Sequence, residues 1–161
     1  MKIIEPSFLV YSNGRVLDSE EGVRLIKWIE FNGRISHRSE DAMTEVSYHK
    51  FIPSVIMGHG DWSIAEHATA TVIFRVDRGV THELVRHRLF SFTQESTRFV
   101  NYRKKTDEAG IEFILPAEYK NPSGDVEYDS ILQTYRTIED AYMNLIAEGV
   151  RPQEARAVLP N

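Results

Sequence analysis

No cysteine occurs among the 161 residues. Disulfides, thiolate zinc sites, iron–sulfur clusters and cysteine nucleophiles are excluded together. Nor does any apolar run approach the ~20 residues of a membrane span. The N-terminal "MKIIEPSFLVYSNG" lacks the long apolar region and small-residue cleavage site of a signal peptide. These absences predict a cytoplasmic protein without a membrane partner. An excess of positive charge is missing too. Nineteen Lys and Arg stand against 24 Asp and Glu, a net charge of −5. That argues against a nucleic-acid partner, because such domains are usually basic.

What is present is an ordinary globular composition, 42% apolar and 27% charged. The length suits one domain, expected over residues 1–161. The first segment reads as a strand closed by Asn13-Gly14. "SEEGVRLIKWIEFNG" reads as a helix with Ser19 as N-cap, Val23, Ile26 and Ile29 on one face, and Asn32-Gly33 at its end. "EVSYHKFIPSVIMGHG" has helical spacing, with Pro53 as a kink or a start. "HATATVIFRVD" alternates over Ala68, Ala70, Val72, Phe74 and Val76 and predicts a strand. Asp77-Arg78-Gly79 turns the chain. "VTHELVRHRLF" predicts a helix; "STRFVNY" and "IEFILP" read as strands. "DVEYDSILQTYRTIEDAYMNLIAEG" predicts a long amphipathic helix whose Tyr and Ile stripe forms core or a subunit contact, stopped by Gly149. "RPQEARAVLP" predicts a short helix with Pro152 in its first turn. The order β, α, α, β, α, β, β, α suggests an α+β fold.

Charge is distributed unevenly. Arg86 to Lys105 holds six basic residues and one acid, Glu95, a local balance of +5. The other residues carry 13 basic and 23 acidic side chains. A basic patch this local suits a small anionic ligand better than a long polyanion. On the expected helix, Arg86, His87 and Arg88 sweep about 200° of surface. They would therefore grip different ligands or different parts of one ligand, and a guanidinium fork binds phosphate oxygens in pairs. A solvated basic helix end is the bland alternative. The continuation favours a site: Ser91, Thr93, Gln94, Ser96 and Thr97 make a poor core and a good hydrogen-bonding loop, and Arg98 adds a third guanidinium.

Arg86-His87-Arg88, seven residues and then Ser96 resemble the RHR-x7-S signature of the flavin-dependent thymidylate synthases (ThyX). "GHGDWSIAEH" is similar to that family's Gly-His…Glu-His segment. "STRFVNY" resembles its Ser-x-Arg-Tyr continuation, with Phe99 for Tyr. "PQEARAVLPN" is similar to its Glu-x-x-Arg-x-x-Leu-Pro block. The resemblance implies a ThyX-like fold, a mixed or antiparallel sheet packed with helices. It implies dTMP synthesis from dUMP, with methylenetetrahydrofolate as carbon donor, FAD as hydride carrier and NADPH as reductant. A flavin route needs no enzyme thiol.

By the resemblance, Glu83, Leu84, Val85 and Arg86 form one dUMP segment. Gln94, Glu95, Ser96, Thr97 and Arg98 form a second, with Arg98 on the phosphate, and Arg156 is a further nucleotide arginine. Ser63, Arg86, His87, Arg88 and Gln94 fall at FAD positions. Ser96 is read as a substrate-binding group rather than a nucleophile, since no base is fixed beside it in sequence. Glu83 stands where Gln is common in the family. Homotetramers with sites between subunits are implied. The family's next segment, with the arginine that ionises uracil N3, would lie beyond Asn161. A non-catalytic nucleotide- or flavin-binding domain of the same fold is the alternative. His82 and His87 are five apart, not the i, i+4 pair of a helical zinc site; no metal is expected at His59, His67, His82 and His87, and Lys104-Lys105 stays unassigned.

Overall fold

Strand β1 (Lys2–Ile4) pairs in parallel with β5 (Glu112–Ile114), with Lys2 opposite Glu112 and Ile4 opposite Ile114. This computed structural model describes residues 1–105, 110–115 and 126–160, and only the backbone at 126–127. The chain forms two compact units, Met1–Ser7 with Arg75–Asn161, and Phe8–Phe74. The fold is α+β, as the element order implied.

In the Phe8–Phe74 unit, β2 (Ser7–Ser12) and β3 (Arg15–Val16) form a hairpin. Asn13 and Gly14 turn it with φ of 49° and 77°. Two consecutive positive φ values are what a tight hairpin turn of the right twist needs, and Asn-Gly tolerates them. Strand β4 (Thr71–Arg75) completes the order β3-β2-β4. It is shorter than its alternating pattern suggested. Its five residues are all exposed, so among the described residues neither face is covered.

Helix α1 (Ser19–Ile35) is capped by Asp18, not Ser19; Asp18 Oδ1 accepts from Glu21 N–H at 2.8 Å. The helix also passes through Asn32-Gly33. Gly33 is there for packing. A Cβ on it would lie 2.8 Å from Phe51 Cζ and 3.0 Å from Ile64 Cδ1. Helix α2 (Tyr48–Ile52) brings Phe51 to that spot, and Pro53 opens a wider π-turn over Pro53–Gly58. The 3₁₀ turn Trp62–His67 follows, tied back by Trp28 Nε1, which donates to the His67 carbonyl at 3.1 Å.

The other unit is built on α5 (Val126–Ala147). Ile111, Phe113, Tyr142 and Ala155 form its buried core. Burying an apolar side chain of this size contributes about 2–3 kcal/mol. Phe113 stacks on Tyr135 at 4.7 Å. Glu139 receives the Met1 ammonium at 2.7 Å and the Ile111 N–H at 2.6 Å, fixing β1 and β5 to the helix. Helix α6 (Pro152–Ala155) starts at Pro152 and runs into a 3₁₀ turn, Arg156–Val158.

Two predicted elements differ. The helix α3 (Arg78–Leu84) ends before Arg86, and "STRFVNY" is no strand but a turn leading to α4 (Tyr102–Lys105). Residues 85–90 are all exposed. A short helix persists where its apolar face is packed, and beyond Leu84 nothing among the described residues packs it. Among the described residues no helix is long and apolar enough to cross a membrane.

Candidate functional site

Helix α3 starts at Asp77, whose Oδ1 accepts from Val80 N–H at 3.1 Å. After Leu84 the helical bonds tighten to three-residue spacing: Arg86 N–H reaches Glu83 O and His87 N–H reaches Leu84 O, both at 3.1 Å. Arg86, His87 and Arg88 therefore sit on an exposed turn, not on a helix. The expected 200° sweep of a helical surface does not apply. His87 meets Phe90 edge-on at 6.0 Å, and Phe90 lies 6.4 Å from Phe92. Among the described residues, Arg86 and Arg88 make no ion pair.

The loop after it is folded by its own backbone. The Ser96 carbonyl accepts from Phe99 N–H at 3.1 Å and Val100 N–H at 2.9 Å. That tight turn presents Thr97 and Arg98. Thr97 Oγ1 accepts from Arg156 Nη1 at 3.2 Å and from Arg78 Nη2 at 3.3 Å. One hydroxyl thus joins α3, the loop and the 3₁₀ turn after α6. Among the described residues neither arginine has a carboxylate partner. Like charges about 6 Å apart repel by roughly 1–3 kcal/mol at surface dielectrics. Each hydrogen bond from a guanidinium returns about 1.5–3 kcal/mol. The hydroxyl accepts from both cations but neutralises neither, so the junction is suited to an anion.

Glu95 is held from the other direction. Tyr102 Oη donates to Glu95 Oε1 at 2.5 Å. Tyr102 is itself fixed by Tyr142: the rings meet edge-on at 5.7 Å, and Tyr102 N–H donates to Tyr142 Oη at 3.4 Å. Burial, with the Glu95 hydrogen bond next, pushes the Tyr102 phenol well above its usual pKa. Tyr102 therefore stays a proton donor, and Tyr142 ties the loop to the core.

The remaining residues distribute as follows. Glu83 is exposed on α3, Leu84 is half-buried and Val85 closes the helix. Gln94 is exposed, and Ser96 is half-buried with no hydrogen-bond partner for its hydroxyl among the described residues. Arg98 is exposed, with its guanidinium 5.5 Å from the Phe99 ring centre. Ser63 lies exposed on the 3₁₀ turn of the Phe8–Phe74 unit. Sequence reasoning passed over two residues. Tyr102 has no role in the sequence reading; it is half-buried and orders Glu95. Arg78 was read as part of a turn. Its signal was position, since a cation at the first residue of a helix opposes the dipole and needs another purpose.

The description "Thymidylate synthase complementing protein" belongs to the family model that matches residues 15–161. The chain belongs to the flavin-dependent thymidylate synthase family. The flavin-dependent thymidylate synthase of Saccharolobus solfataricus is 37% identical over 123 residues, covering 76% of this chain and 44% of the relative. That of Pyrococcus furiosus is 35% identical over 136 residues, covering 82% and 52%. The ThyX chain described here thus spans about half the length of the curated relatives it matches. In fold it is similar to the UMP/dUMP methylase PolB from Streptomyces cacaoi bound with 5-Br dUMP. The TM-score is 0.63 at 24% identity, over 99% of this chain and 70% of that one.

Proposed function

We propose that this chain is a subunit of a flavin-dependent thymidylate synthase that converts dUMP to dTMP. The observation that carries the reading is the Thr97 junction. It brings Arg156, from the Glu-x-x-Arg block, onto the loop of the RHR-x7-S block. Two motifs far apart in sequence converge on one cationic point, as binding of one nucleotide phosphate requires.

Glu83, Leu84, Val85 and Arg86, with Gln94, Glu95, Ser96, Thr97, Arg98 and Arg156, are the dUMP residues in this reading. Arg156 and Arg98 neutralise the phosphate. Ser96 and Gln94 offer hydrogen bonds to the sugar or base, and Glu95, set by Tyr102, accepts from a ring N–H. Arg86, His87, Arg88 and Gln94 hold FAD. The donor set fits that group: two unpaired, exposed guanidiniums and an imidazole suit a pyrophosphate and an electron-rich ring. Bound FAD would supply hydride chemistry that no side chain here can. Methylenetetrahydrofolate and NADPH are the co-substrates in this reading.

The site calls for a second copy of the chain. Leu89 is 99% exposed, Phe99 79% and Phe90 69%, all beside the cationic turn. Large apolar side chains this exposed suit an interface with another subunit. A homotetramer with sites between subunits would cover it, in the cytoplasm. The test is the purified chain supplied with FAD, dUMP, methylenetetrahydrofolate and NADPH. Formation of dTMP supports the proposal. FAD or dUMP binding without dTMP supports the non-catalytic binding domain instead, failure to bind FAD defeats the flavin-dependent enzyme, and failure to bind either ligand defeats both.

A further inference from the structure

Resting on the reading of Thr97 and Arg156 as nucleotide-binding, we infer that Arg78 is an additional phosphate-binding residue of the same site. Its guanidinium reaches the oxygen that Arg156 reaches, at 3.3 Å against 3.2 Å. The two terminal nitrogens are thus no more than two hydrogen-bond lengths apart. A single phosphate, with three terminal oxygens, spans that gap. The Thr97 hydroxyl has two lone pairs, and both are taken. Each arginine spends one N–H on it and keeps four donors for a ligand.

Three further observations agree. Arg78 is half-buried, so its charge is partly desolvated. Among the described residues no carboxylate pairs with it, and a part-buried cation without a counter-charge is costly unless an anion arrives. Asp77 is adjacent but is used as the helix cap, holding Val80 N–H. Finally, Arg78 is close enough to Tyr102 to oppose the rise in its phenol pKa. Arg78 therefore lies near both Thr97 and the tyrosine that orders Glu95. The phosphate would take up donors that both guanidiniums keep free while they hold the Thr97 hydroxyl. The site would then discriminate nucleoside monophosphate from nucleoside through a pair of arginines from two separate elements.

The test is calorimetric titration of dUMP and of deoxyuridine into the wild-type chain, Arg78→Met and Arg78→Lys, with circular dichroism as the folding control. Loss of a charged hydrogen bond corresponds to about ten- to a hundredfold in affinity. Arg78→Met is expected to lose that much for dUMP and nothing for deoxyuridine. Arg78→Lys, which keeps the charge but not the fork, is expected to fall between, and it serves as the folded variant if Arg78→Met does not fold. Equal losses for dUMP and deoxyuridine in Arg78→Lys would make Arg78 a loop-positioning residue and overturn the inference. Unchanged dUMP affinity in both variants would overturn it as well, leaving the nucleotide reading of Arg156 intact. Absence of dUMP binding by the wild-type chain would overturn both.

Discussion

Arg156 and Thr97 are 59 residues apart in sequence and are joined by a hydrogen bond of 3.2 Å. The bond places an exposed arginine from the end of the described chain against the loop that follows the Arg-His-Arg turn. Because Arg156 is exposed and packs nothing in the core, its loss is expected to affect ligands, not folding. Arg156→Met should weaken dUMP about ten- to a hundredfold, with the melting temperature within a degree or two of wild type. Calorimetry and a thermal melt check the pair. A large drop in melting temperature with dUMP affinity intact would show the arginine to be structural.

Tyr102 gives a pH-dependent prediction. Its phenol pKa is raised in the folded chain, mainly by burial. A raised pKa means that the folded state holds the proton more tightly than the unfolded state. The stability this provides is complete below the ordinary tyrosine value near 10 and is lost as pH rises beyond it. Wild type should therefore lose melting temperature above about pH 10 more steeply than Tyr102→Phe. Parallel curves from pH 8 to 11 would refute the assignment.

Gly33 faces the ring of Phe51, with a would-be Cβ 2.8 Å from Cζ. The ring is also covered by the Arg34 guanidinium, 4.7 Å from its centre. Replacing Gly by Ala in a helix gains about 1 kcal/mol of propensity, while overpacking costs about 1–3 kcal/mol. Gly33→Ala should thus be mildly destabilising, and Gly33→Val clearly so, since its branching adds volume and lowers propensity. Urea denaturation of the two variants checks the order. A stabilised Gly33→Ala would show that Phe51 can swing aside.

Leu89 and Phe99 expose nearly their whole side chains next to cationic residues. If a second copy covers them, Leu89→Asp and Phe99→Asp should dissociate the assembly and lower FAD retention together. Light scattering gives the mass, and flavin absorbance after gel filtration gives the occupancy. A wild-type chain that is monomeric yet retains FAD would remove the need for a partner copy.

The sequence by itself determined which residues could form a site and several elements that position it. Asn13-Gly14 specified its hairpin because only such a pair tolerates two positive φ values. The long stripe through Tyr135, Ile138 and Tyr142 specified α5, because helical period and burial agree there. The Arg-His-Arg turn, the Ser96 loop and the Glu-x-x-Arg block were visible as separate strings. Tertiary structure alone decided the rest. Helix α3 stops at Leu84 because residues 85–90 are exposed and unpacked among the described residues, which no local propensity records. Gly33 continues a helix instead of ending it because Phe51 arrives from another element. Arg78 and Arg156 meet at Thr97 because α3, the loop and the turn after α6 converge. Contacts between distant segments depend on how their elements pack, and no string of neighbouring residues encodes that.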